Sequence, residues 1–211
     1  MFDAWAPCPP DPSAMDFAER LAMWVGPLDA IGLQAAHRSI HTAASTDLAM
    51  PNPSGAARAA VVAGELRRVR QTLAQAIAGA LALCAESADY ANYSRYRHQH
   101  GALQRQMAGM IGALRAEVRQ AMASLSPRLR RLALLDAAIE QVITPREQTV
   151  LPLAVALLGK RFEQLSAAQA PAWLDTFSRD WQAALLAERD VRLAPVAGLV
   201  DAINNEMNDP A

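Results

Sequence analysis

Between residues 56 and 125 apolar side chains return at steps of four, three, four, four, three and four, twice over. The first seam reads Val62, Leu66, Val69, Leu73, Ile77, Ala80, Cys84 and the second Leu103, Met107, Met110, Leu114, Val118, Ala121, Leu125. Both repeat every eleven residues. That is ~3.67 residues per turn, close to the 3.6 of a straight helix, so each stripe barely drifts around its axis and long straight helices can pack along it. A weak turn signal at Glu86-Ser87-Ala88-Asp89 separates the seams. The expected spine is therefore an antiparallel hairpin of two long helices, over about 56–85 and from about residue 90 to 125.

The rest of the chain also reads as helix. Of its 211 residues 52 % are apolar, mostly Ala and Leu with few aromatic or β-branched residues, a mix that suits helices and offers little to a pleated sheet. Residues 1–12 hold four prolines and read as an extended leader. Ser13 with Asp16 has N-cap spacing, and Phe17, Leu21, Trp24 and Leu28 form an amphipathic stripe that Gly26-Pro27 interrupts before a second stretch over 28–44. Residues 49–55, with Pro51 and Pro53, form a linker.

Ser126-Pro127 starts a fourth helix, with Leu129, Leu132, Leu135, Ile139 and Val142 on its buried side. Thr144-Pro145-Arg146-Glu147 is a stronger start for a fifth, reaching about Leu165 and kinked at Pro152. A sixth begins at Pro171, buries Trp173, Phe177, Trp181 and Leu185, and breaks at Pro195. The expected fold is all-α, about six helices in one domain over 13–203, with a polar tail over 204–211.

Charge is uneven along this frame. Residues 58–131 carry twelve Arg against Glu65, Glu86, Asp89 and Glu117, a balance of +8 between acidic flanks that can fold back on it. Cys8 and Cys84 are too far apart to suggest a disulfide framework, and Cys84 falls on the first seam. The first twelve residues contain Asp3 and no Lys or Arg, unlike a secretion signal. The longest apolar runs, 151–159 and 76–85, are about half the length that crosses a bilayer. A cytoplasmic protein without membrane insertion is expected.

Three chemistries compete for the site. His37 and His41 share a helix face but lack the Glu of a zincin pair, and His98 and His100 could complete a metal site only through the tertiary fold. Asp136 and Glu140, four apart, supply half of a carboxylate pair, although a solvated helix face explains them more simply. No nucleophile elbow, glycine-rich phosphate loop or Cys–His pairing is present in the sequence, so no cofactor, metal or catalytic residue is assigned. The run 90–100 interleaves tyrosines with cations. Tyr93, Arg95, Tyr96, Arg97 and Arg105 are the candidate nucleic-acid surface, set against packing of the tyrosines on the seam. The third candidate is a protein-docking or self-association surface built from Leu114, Val118, Met122 and Leu125, where the second long helix would overhang the first.

Several segments together, 17–24 with 28–33, then 93–106, 114–143 and 161–165, resemble an uncharacterised bacterial family defined by a domain of unknown function. The resemblance covers most of the chain after the leader, and its motifs are packing residues and arginines, so no catalytic residue carries over. It implies genes set beside proton channels of the flagellar-stator and Tol/Exb type and beside envelope proteins with a peptidoglycan-binding domain. The function expected on these grounds is a non-enzymatic interaction or scaffold protein, a cytoplasmic accessory of an envelope machine. Nucleic-acid binding by the Arg-rich spine is the first alternative, and a metal-dependent enzyme the second.

Overall fold

The computed structural model describes residues 55–85, 92–168 and 171–208, together with helical positions at 32, 34, 35, 37, 38, 40 and 42. Four long helices make up the continuous part: α1 (Gly55–Ala85), α2 (Tyr93–Leu125), α3 (Pro127–Ala168) and α4 (Trp173–Asn208). Every pair packs together except α1 and α3, so α2 and α4 form the centre and the other two lie on opposite flanks. Arg95 Nη2 donates to the Leu83 carbonyl at one end of the α1–α2 pair. At the other end a Cβ on Gly55 would lie 2.7 Å from Met207 Sδ and 3.4 Å from Leu125, so glycine lets α1 begin tightly against α2 and α4. No helix among the described residues is long and apolar enough to cross a membrane.

Local sequence sets the helix ends. Asn92, with β-region dihedrals, caps α2 by accepting from Ser94 N at 3.0 Å. Ser126 ends α2 and caps α3, its Oγ accepting from Leu129 N at 3.1 Å while Pro127 takes the first helical position. One residue thus turns the corner. Between α3 and α4 the chain passes through Ala172 at φ 59°, a left-handed conformation that leaves its carbonyl to accept from Thr176 N.

Two expected boundaries are absent. Thr144 does not cap a new helix, because its hydroxyl donates back to the Glu140 carbonyl at 2.8 Å, as a mid-helix threonine does. α3 therefore runs unbroken through Pro145 and Pro152, and α4 runs through Pro195 to Asn208, so residues 204–208 are helix rather than tail. A proline inside a helix costs about 3 kcal/mol, which packing elsewhere along each helix must offset. The count among the described residues is four helices and not six, and the two helical stretches expected over 13–44 lie largely outside those residues.

The core is one continuous cluster. From α1 it takes Val62, Leu66, Val69, Leu73, Ile77, Ala80 and Cys84, and from α2 Leu103, Met107, Ile111, Leu114, Val118, Ala121, Met122 and Leu125. At the α1–α2 turn end it becomes aromatic. Phe162 and Phe177 meet edge to face at 4.9 Å, Tyr96 meets Phe177 at 5.0 Å and Trp181 at 5.5 Å, and Trp173 closes on Phe162 at 5.2 Å. Such edge contacts place the positive rim of one ring on the negative face of another, adding to the burial term. Three helices, α2, α3 and α4, are pinned there at once.

Trp181 is 1 % exposed and Val61, on α1, 58 %. Trp181→Ala is expected to lower unfolding free energy by about 3–5 kcal/mol, and Val61→Ala to change it by less than about 0.5 kcal/mol. Urea unfolding followed by helicity checks this, and equal effects at the two positions would contradict the assigned core.

Candidate functional site

α3 carries two faces about a quarter turn apart, at ~100° per residue. The first turns Leu129, Ala133, Asp136, Leu158 and Phe162 into the bundle. Its polar member is held by arginines of α2: Arg115 forks onto Asp136 with Nε–Oδ2 2.8 Å and Nη2–Oδ1 2.6 Å, and Arg119 Nη1 reaches Glu140 Oε2 at 2.6 Å and Asp136 Oδ2 at 3.2 Å. A bidentate, largely desolvated pair of this kind fixes rotation as well as charge. Asp136 and Glu140 are therefore a paired face rather than a solvated one. Each is engaged by guanidinium groups, and the acid face of α3 is turned inward.

The second face is apolar and turned outward. Leu135, Ile139, Val150, Leu153 and Leu157 are all exposed, and with half-buried Leu132 and Ile143 they form one stripe along the helix. No residue of α3 between 137 and 157 is buried. This corrects the expected orientation, in which Leu135 and Ile139 faced the core, because the arginine lock takes the inward face for Asp136. Two hollows lie between α3 and α4, one toward each end of the stripe, and together they make up the α3–α4 groove. One is lined by Leu129, Leu132 and Leu135 with Ala202 and Asn205. The other, of about 580 Å³, is walled by Ile143, Val150, Leu151 and Val191, with Arg146, Glu147, Glu188 and Arg192 at its polar edge.

Glu188 joins that hollow to the core. On its inner side His100 Nε2 lies 3.3 Å from Oε2 and Gln104 Nε2 donates to the same oxygen at 3.1 Å, while Arg192 Nε donates to Oε1 at 3.0 Å. With a carboxylate as its partner, the Nε2 of His100 carries the proton. Burial pushes the Glu188 carboxyl up, but the hydrogen bonds from His100 and Gln104 and the charge of Arg192 outweigh it and hold the group below its ordinary value of 4.5.

Leu114, Val118, Met122 and Leu125, expected as an exposed partner surface, are all buried. α4 and the start of α3 cover the end of α2, so no overhang exists and these four are core. The tyrosine–arginine run is divided. Tyr96 is 1 % exposed inside the aromatic cluster, and Tyr93 packs on Phe162 with its hydroxyl donating to the Val155 carbonyl, so neither ring is placed to stack a base. Arg95 bonds the Leu83 carbonyl, while Arg97 and Arg105 stay on the exposed side of α2. His98 and His37 are exposed, His100 is on Glu188, and His41 lies outside the described residues. Among the described residues no three His, Cys, Asp or Glu side chains come together as a metal site. The groove was missed by sequence reasoning. Its signal was the presence of two apolar stripes on one α3 sequence, of which a flank helix can bury only one.

The chain belongs to the DUF3348 family, described as a protein of unknown function, whose family model matches residues 6–205. No curated protein and no solved structure matches it.

Because folding lowers the Glu188 pKa, the carboxylate contributes stability above 4.5 and loses it as pH falls through the lower folded value. Glu188→Gln is expected to cost on the order of 2 kcal/mol at pH 7, the size of hydrogen bonds to a charged group. That difference from the parent should shrink steadily below pH 4.5 in urea unfolding. A difference that stays constant from pH 7 to pH 3 would contradict the assigned network.

Proposed function

We propose that this protein is a non-enzymatic helical interaction module that accepts an amphipathic helix of a partner protein in the groove between α3 and α4. In the setting implied by the family resemblance it serves as a cytoplasmic accessory of a bacterial envelope machine. The observation that carries this reading is the outward apolar stripe of α3, continued on α4 by Val191 at 72 % exposure. Contiguous exposed apolar surface with a polar rim is the mark of a docking site, and a groove between two helices suits an occupant that presents its own apolar residues every three or four positions. In this reading α1 and α2, an antiparallel hairpin with an eleven-residue repeat, form the rigid support for the groove.

Nucleic-acid binding has narrower support. Arg97 and Arg105 on α2 and Arg67, Arg68 and Arg70 on α1 are exposed, which suits phosphate contacts, but the aromatic half of that surface is engaged in the core. A metal-dependent enzyme gains no support from His100, Asp136 or Glu140, each held by a charged neighbour.

A photo-crosslinking residue placed at Leu153 of the full chain in cells, with Val61 on α1 as control, tests the docking reading. A discrete adduct to another protein is expected from Leu153 alone, and that protein, once purified, should bind at least tenfold more weakly to Val150→Asp/Leu153→Asp, a loss of about 1.4 kcal/mol. Equal adducts at both positions, no adduct, or equal binding of parent and variant would overturn it. Binding of mixed single- and double-stranded nucleic acid that falls steeply with salt and with Arg97→Ala/Arg105→Ala would favour the second reading.

A further inference from the structure

The outward stripe of α3 uses a spacing found twice elsewhere in the chain. Leu135, Ile139, Val142, Arg146, Val150, Leu153 and Leu157 follow one another at four, three, four, four, three and four, the series of the α1 and α2 seams. On α1 all seven seam residues are buried, and on α2 all but half-buried Met110. On α3 none of the seven is buried: five are exposed, and Val142 and Arg146 are half-buried. A spacing that packs against neighbouring helices on α1 and α2 is thus left facing outward on α3.

The geometry of the stripe suits a second helix laid along it. At ~100° and ~1.5 Å per residue the seven positions lie within about 40° of one line, over ~33 Å of helix. Between Leu132 and Leu157 Arg146 is the one charged residue within about 60° of that line. Pro145 and Pro152 both fall about 100–120° to one side, clear of the contact.

We propose that a second copy of this chain docks on this face, with α3 against α3 in antiparallel register about a two-fold axis at Arg146. An isologous contact needs a surface that reads the same in both directions, since residue i must meet j wherever j meets i. The spacing is its own reverse, and in size so are the side chains on it. About Arg146, Leu135 meets Leu157, Ile139 meets Leu153 and Val142 meets Val150. A different partner helix would ask for no such symmetry. Arg146 alone meets itself, and it borders Glu147 and Glu188 on the hollow, so the two guanidinium groups lie among carboxylates. A polar residue at one central position of an apolar seam fixes register at a cost in stability. At ~33 Å by ~10 Å the contact falls short of the ~800 Å² per partner of a standard interface, so the dimer is weak and exchanges with monomer.

This inference rests on the outward face of α3 being a helix-docking site and names the occupant it takes when the protein is alone. Two full-length proteins, Cys8→Ser/Ile139→Cys and Cys8→Ser/Leu153→Cys, treated with a short bismaleimide separately and as an equal mixture, test it, since the remaining Cys84 is buried. In the proposed register position 139 of one copy meets 153 of the other, whereas the two copies of 139 stand ~21 Å apart along the axis. The mixture is therefore expected to crosslink between copies at least tenfold faster than either protein alone. Equal rates, or no crosslink in the mixture, would overturn it. Arg146→Leu, which removes the charge at the axis, is expected to tighten the dimer at least tenfold in sedimentation, and association no stronger than the parent's would also overturn it. A mixed crosslink with no adduct at Leu153 to another protein keeps the dimer and removes docking of a different partner, whereas such an adduct without the crosslink does the reverse.

Discussion

α3 places buried side chains near its two ends and none between them. Near its start Asp136 is forked by Arg115, and near its finish Phe162 is locked among Tyr96, Phe177 and Trp173. Over the residues between, 137–157, no side chain is buried. The rest of the architecture depends on this suspension. α4 can lie beside α3 without closing on it, the space between them becomes the groove, and two prolines are tolerated because the segment containing them bears little of the packing.

The ionic lock decides which way the suspended segment faces. A helix with acids on one side and leucines a quarter turn away could bury either, and burial of the leucines would ordinarily win at about 25 cal/mol per Å². Arg115 and Arg119 reverse the outcome locally. They are largely buried on α2 and need anionic partners, and leaving such a guanidinium unpaired costs about 3–5 kcal/mol. The polar contact is therefore what leaves an apolar face outside. The same logic recurs on α4, where Glu188 faces His100 and Gln104 and Val191, three positions on, is left in solvent.

Much of this was legible in the chain. The seam from Val62 to Cys84 identified the buried side of α1 without exception, although Val61 and Leu83 on the same helix stay exposed. Trp173, Phe177, Trp181 and Leu185 marked α4 for the same reason. Val118 and Met122 were misjudged because their burial depends on which helix covers the end of α2, a tertiary fact absent from local periodicity. Thr144-Pro145 misled for a different reason: cap and mid-helix threonines share a sequence, and only the anchors at Asp136 and Phe162 decide between them. The groove was the least legible feature, since its existence follows from Arg115 finding Asp136 across 21 residues of chain.

The central claim is that Arg115 and Arg119, paired with Asp136 and Glu140, hold the apolar face of α3 outward. Hydrogen–deuterium exchange over 139–157, compared between the parent and Asp136→Asn, tests it most directly. The account predicts exchange at least tenfold faster in that stretch of the variant, about 1.4 kcal/mol of lost protection, with the 62–84 seam of α1 unchanged. Identical exchange over 139–157 in the two proteins would contradict it.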